Sequence, residues 1–193
     1  MKKLLYWKGR GTQDVLEIFL SEMSAEYEII RFPFEYDNGT PQFFCGSKWD
    51  RWLRRNTCSI WCGISLGAAM MYAMAAIDTD ICPEEMILIN PFVSRSQLAH
   101  EHGFRMDDQW ELELRNTPLK ADGFSMVLSV RDEKIGMHHG IELLDQTEAC
   151  NKRLILLESD HHLSGNGIQS GLAALLHGKE YTYDQIHQYR YIR

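Results

Sequence analysis

A chain of 193 residues, 45% hydrophobic and 24% charged, is long enough for one domain with a sizeable core. Its net charge of -7, with no Lys/Arg tract, argues against nucleic-acid binding, and no apolar run is long enough to span a membrane. Lys8 and Arg10 interrupt the apolar start Leu4-Leu5-Tyr6-Trp7 too early for a signal peptide, and five cysteines without CxxC spacing read as reduced core thiols of a cytoplasmic protein.

In chain order, residues 4–7 predict a first strand, followed by the turn Gly9-Arg10-Gly11. Val15, Ile18 and Phe19 fall at helical spacing over 14–24, with Thr12 as the cap. Residues 27–32 are β-branched and aromatic, a second strand closed by Pro33. A loop over 35–46 leads to Ser47, which caps a helix carrying Trp49, Trp52 and Leu53. Residues 58–62 read as a short buried strand and 68–76, rich in Ala and Met, as a buried helix. Residues 86–89 form a strand ending at Asn90-Pro91, and a polar helical stretch runs from Ser94 to about His102. Residues 124–130 are a strand and 136–149 a helix, with 153–157 as the last strand and 168–176 as the last helix. Apolar strands separated by helices predict one α/β domain over 1–193, its mostly parallel sheet covered on both faces.

Between the strand 58–62 and the helix 68–76 lies Gly63-Ile64-Ser65-Leu66-Gly67. A G-x-S-x-G between strand and helix is the setting of a nucleophile elbow. The reversal is so tight that Cβ atoms at Gly63 and Gly67 would crowd the strand against the helix. It pushes the Ser65 hydroxyl into the open at a helix N-terminus, whose dipole favours a developing anion. In a parallel sheet, functional residues gather beyond the C-terminal strand ends. The first carboxylate after residues 124–130 is Asp132, beside Glu133, and after 153–157 comes Asp160-His161-His162. Ser, then an acid, then His is the order expected of α/β-hydrolases.

The chain therefore resembles the cap-less α/β-hydrolases, similar to short bacterial serine esterases of about this length. Leu4-Leu5-Tyr6-Trp7-Lys8-Gly9 resembles the family's first strand ending in His-Gly, with Lys8 in place of the histidine. Ile89-Asn90-Pro91 resembles its Asn-Pro, Arg131-Asp132-Glu133 its acid loop and Asp160-His161 its Asp-His. The resemblance implies Ser65 as nucleophile, His161 as general base and acid, and Asp132 as the partner that fixes the imidazole. The oxyanion would be held by the backbone N–H groups of Leu66 and Arg10. Lys8 and Arg10 could also contact an anionic substrate group.

The expected activity is a serine hydrolase cleaving a small ester or thioester. Acyl transfer by the same residues and a non-catalytic binding protein of this fold are the alternatives. No cofactor is expected, and no metal. The adjacent pair His138-His139, like His100 and His102, is spaced so that the two rings should not share one helical face. Residues 92–123, with Leu98, Phe104, Trp110, Leu112 and Leu114, are the one stretch long enough to cover a pocket.

Overall fold

The computed structural model describes residues 1–10, 16–33, 48–77, 79–103, 111–178 and 186–191. The expected caps Thr12 and Ser47, the loop 35–46 and the stretch 104–110 lie outside the described residues. Among the described residues, seven strands and six α-helices follow in the order β1 (Lys2–Trp7), α1 (Glu17–Met23), β2 (Tyr27–Arg31), α2 (Lys48–Arg55), β3 (Ile60–Ile64), α3 (Leu66–Ile77), β4 (Glu85–Ile89), α4 (Arg95–His102), β5 (Lys120–Ser129), α5 (Met137–Gln146), β6 (Glu148–Leu157), α6 (Asn166–Leu176) and β7 (Ile186–Tyr191). The strands form one sheet ordered β2-β1-β3-β4-β5-β6-β7, parallel through β6 with β7 antiparallel at the edge.

The period-2 alternation of strand side chains divides the core between the two faces. Leu4, Tyr6, Cys62, Ile87, Val127 and Ile155 pack with Phe19 and Leu20 of α1 and Leu172 of α6. Leu5, Trp7, Trp61, Leu88, Phe124 and Met126 pack on the other face with α2, α3 and α5. Trp7 stacks on Phe32 at 3.6 Å and meets Trp49 edge-on at 5.4 Å, anchoring α2 beside the end of β1. Leu66 to Ala75 of α3 are all buried. Each such large apolar side chain removed from water contributes about 1.5–3 kcal/mol.

Three expectations need correction. Residues 153–157 are not the last strand, because Ile186–Tyr191 adds a seventh, antiparallel to β6. The helix expected to reach residue 149 ends at Gln146. Thr147 turns to an extended ψ of 130 and bonds its hydroxyl to the Leu143 carbonyl, and Glu148 opens β6. The cysteines are not uniformly core thiols: Cys58 and Cys62 are buried, Cys82 is half-buried and Cys150 is exposed. Burial pushes the Cys82 thiol up to about 11, so that sulfur stays protonated.

The register fixes where a site can form. Trp7 pairs with Gly63, Ile64 with Ile89, Ile89 with Val127, and Ser129 with Leu157, so β1, β3, β4, β5 and β6 end along one side. The strand order reverses at β1, which lies between β2 and β3. Crevices in parallel sheets open where strand order reverses, beyond the C-terminal ends.

Candidate active site

Ser65 sits between the last residue of β3 and the first of α3 with φ 55, a left-handed conformation that costs a non-glycine residue about 1–3 kcal/mol. Two main-chain bonds hold it there: its N–H donates to Ile89 O at 2.8 Å, and its carbonyl accepts from Ala69 N at 3.1 Å. The flanking glycines are sterically required. A Cβ on Gly63 would lie 2.7 Å from Ala68 Cα, and one on Gly67 would lie 2.5 Å from Lys8 O, closer still to Trp7 O. The start of α3 therefore lies directly against the end of β1. Gly9 borders Ser65 so closely that its own Cβ would come within 3.7 Å of the serine Oγ.

Asp132 and His161 are joined. His161 Nδ1 donates to Asp132 Oδ2 at 2.7 Å, with the two side chains 6% and 1% exposed. The other carboxylate oxygen, Oδ1, accepts the N–H groups of Lys134 and Ile135, both at 2.8 Å, which fixes the carboxyl plane. The loop carrying Asp132 is stitched to β6 by Val130 N to Leu157 O at 2.9 Å and Arg131 N to Ser159 O at 3.1 Å. Asp160 shapes the loop carrying His161, its Oδ1 accepting from His162 N at 3.1 Å and Ser164 N at 2.9 Å. Burial alone would raise the Asp160 carboxyl, but these N–H donors outweigh it and hold it below the ordinary range. Leu163 completes the reversal at φ 57.

A cavity of about 40 Å³ opens where the strand order reverses, and Tyr6, Gly9, Arg10, Ile64, Ser65, His161 and His162 line it. The structure thus brings Ser65, His161 and Arg10 to one cavity, with Asp132 bonded behind the histidine. Among the described residues, no hydrogen bond joins Ser65 Oγ to His161; such links often tighten only when substrate binds. Leu66 opens α3, where the first N–H groups of a helix have no partner within it. Lys8 is half-buried and is not among the described lining residues. His162 reaches Lys134 Nζ at 2.6 Å instead of a carboxylate. Burial, then the Lys134 and His161 charges, push its ring below the ordinary histidine value.

A larger cavity of about 540 Å³ lies at the opposite ends of the strands, around Lys2, Glu85, Ser125 and Arg153. Arg153 there bonds Glu85 at 3.0 Å and Ser125 at 2.9 Å, closing its charge within the fold. Of the stretch once expected as a cover, Leu112 and Leu114 are buried in the core with α3, and Val93 and Leu114 are joined by a main-chain bond of 2.8 Å.

Sequence spacing failed for His138 and His139. Their rings lie 4.3 Å apart and both reach Glu101, at 2.9 and 3.0 Å. This is a set of three groups with metal-ligating atoms, yet its protons are arranged for hydrogen bonding. Val93 N–H donates to His139 Nδ1 at 3.3 Å, so the neutral ring carries its proton on Nε2, the nitrogen a metal would need. Burial raises Glu101, but donors from Gln97, His138 and His139 outweigh it and draw the carboxyl from 4.5 to about 2. Burial holds His139 below its ordinary 6.5 despite Glu101. Folded His139 therefore binds a proton less readily than the unfolded chain, and its share of stability, complete above pH 6.5, is lost on acidification below it. Thermal melting between about pH 7 and 5 should show the midpoint falling, and His139→Gln should flatten that slope. An unchanged slope in the variant would remove His139 from this role.

No family model matches the chain, and no curated protein matches it in sequence. Its likeness is to solved structures. The esterase domain of a Rhodothermus marinus protein superposes with TM-score 0.62 at 15% identity, over 92% of this chain and 84% of that one. Alpha/beta hydrolase domain-containing protein 10 from mouse gives 0.64 at 13% identity, over 91% and 88%. The chain has the α/β-hydrolase fold. No helix among the described residues is long and apolar enough to cross a membrane.

Proposed function

We propose that this protein is a cytoplasmic serine hydrolase that cleaves a small ester or thioester through an acyl-enzyme on Ser65. The observation that carries the reading is one cavity shared by a serine at φ 55 on a strand-to-helix turn and a histidine bonded at 2.7 Å to a buried carboxylate. In this reading His161 Nε2 takes the Ser65 proton as Oγ attacks the substrate carbonyl, forming the C–O bond and moving the carbonyl π electrons onto oxygen. Asp132, an acceptor at Nδ1–H, holds the tautomer that leaves Nε2 free and stabilises the imidazolium. The oxyanion is bound by Leu66 N–H and Arg10 N–H. Collapse expels the leaving group, which takes the proton from His161, and water repeats the sequence to release the acid. Of the two proposed cationic contacts to substrate, Arg10 lines the cavity and Lys8 does not.

The fold alone would license no activity. A cavity of about 40 Å³ beside Ser65 offers little enclosed space for a long acyl chain and suits a small acyl group. The deciding experiment is reaction with a serine-directed fluorophosphonate followed by peptide mapping. Label on the peptide containing Ser65 is the expected result. No label, or label confined to another serine, would overturn the assignment.

A further inference from the structure

Asn90, the residue after β4, is 2% exposed and has φ 46. Its side chain uses both ends. Oδ1 accepts Ser129 N–H at 2.8 Å, while Nδ2 donates to Ser129 Oγ at 3.0 Å and to the His161 carbonyl at 3.0 Å. Its own N–H donates to Val127 O at 2.9 Å, and the carbonyl just before it, Ile89 O, accepts Ser65 N–H at 2.8 Å. Ser129 O in turn accepts Asp132 N–H at 3.3 Å. The end of β4 is thus bonded to the main chain of both Ser65 and His161, and reaches Asp132 through Ser129.

We infer that Asn90 is a positioning residue that sets the approach of the His161 ring to Ser65 by holding the His161 carbonyl; this rests on the serine-hydrolase reading above. The residue type follows from the geometry. The site needs an acceptor for an N–H and a donor for a carbonyl, and one amide supplies both. The left-handed backbone narrows the choice further, since Asn tolerates it better than other side chains. An ionised Asp would offer no donor, and Ser would not reach both partners. Being buried, each partner left unmatched keeps its desolvation cost.

The test is Asn90→Asp, which exchanges NH₂ for O⁻ and keeps size, left-handed tolerance and the acceptor for Ser129. With a short-chain nitrophenyl ester, kcat should fall about 10- to 100-fold with KM within about threefold. The acid limb of kcat/KM should also move to higher pH, because a carboxylate beside the histidine loop favours the imidazolium. Asn90→Gly, which keeps the backbone conformation and adds no charge, should lose kcat without moving that limb. Fluorophosphonate titration counts intact sites, so rates are compared per competent site. A merely structural Asn90 would lower the number of sites and leave the rate per site at the wild-type value in both variants. That result, or kcat within about twofold of wild type in either variant, would overturn the inference. Wild-type protein that neither labels nor turns over would overturn the hydrolase reading and this one together; an active wild type with indifferent variants overturns only the positioning role.

Discussion

Ser65→Ala is expected to remove hydrolysis of short-chain nitrophenyl esters, by about four to six orders of magnitude in kcat, and to abolish fluorophosphonate labelling. The size of the effect follows from covalent catalysis, because without Oγ no acyl-enzyme forms and the remaining groups can only orient a substrate for water. The fold should survive. Alanine at φ 55 is strained much as serine is, and the bonds that hold this position, Ser65 N to Ile89 O and Ala69 N to Ser65 O, are made by the main chain. Ser65→Gly should be equally inactive and more stable than wild type by about 1 kcal/mol, since glycine adopts the left-handed region without penalty. Turnover and melting temperature measured on the same preparations check both parts. A Ser65→Ala protein that keeps a tenth or so of wild-type kcat would end the covalent mechanism.

The second large effect is at the paired histidines. His161→Ala should lose about four orders of magnitude or more in kcat, and His162→Ala about tenfold at most. The asymmetry comes from their partners. Both rings line the cavity, but His161 donates from Nδ1 to Asp132 at 2.7 Å, whereas His162 accepts from Lys134 at 2.6 Å. A ring whose Nε2 lone pair is taken by an ammonium, and whose basicity burial and that charge depress, is a poor base for Ser65. Near-normal kcat in His161→Ala with a collapse in His162→Ala would transfer the role of base to His162.

Much of this arrangement was legible because local pattern and tertiary role agree. Residues 86–89 are apolar without a break since β4 is buried between β3 and β5, and Gly63 and Gly67 are glycines because backbone occupies the space where their Cβ atoms would sit. Position beyond strand ends led to Asp132, beside Glu133, and to the run Asp160-His161-His162, while the preference for Asp132 and His161 within them came from the family resemblance. Elsewhere the pattern is weak for a physical reason. β7 is an edge strand whose sequence, Ile186-His187-Gln188-Tyr189-Arg190-Tyr191, lacks the apolar run of an interior strand. The polar beginning of β6, from Glu148, hid its boundary with α5 because those residues extend past the covered core. Asn90 marks the end of β4 in the sequence, but its grip on His161, 71 residues away, leaves no local mark. The approach of His138 and His139 to one carboxylate likewise depends on α4 lying beside the start of α5, which spacing within a single helix does not reveal.

The burial of α3 on every side bears on how the chain reaches this state. Each parallel pair is closed by a crossover, never by a hairpin, so loop-closure entropy is spent before any parallel strand contact repays it. Until β1, β3 and β4 have assembled, Met70, Met71, Tyr72 and Met74 have nothing to lie against. A helix with no polar side is then an adhesive surface for other unfinished copies. Refolding yield should therefore fall as protein concentration rises, with α3, the helix that follows Ser65, as the segment through which the chains adhere.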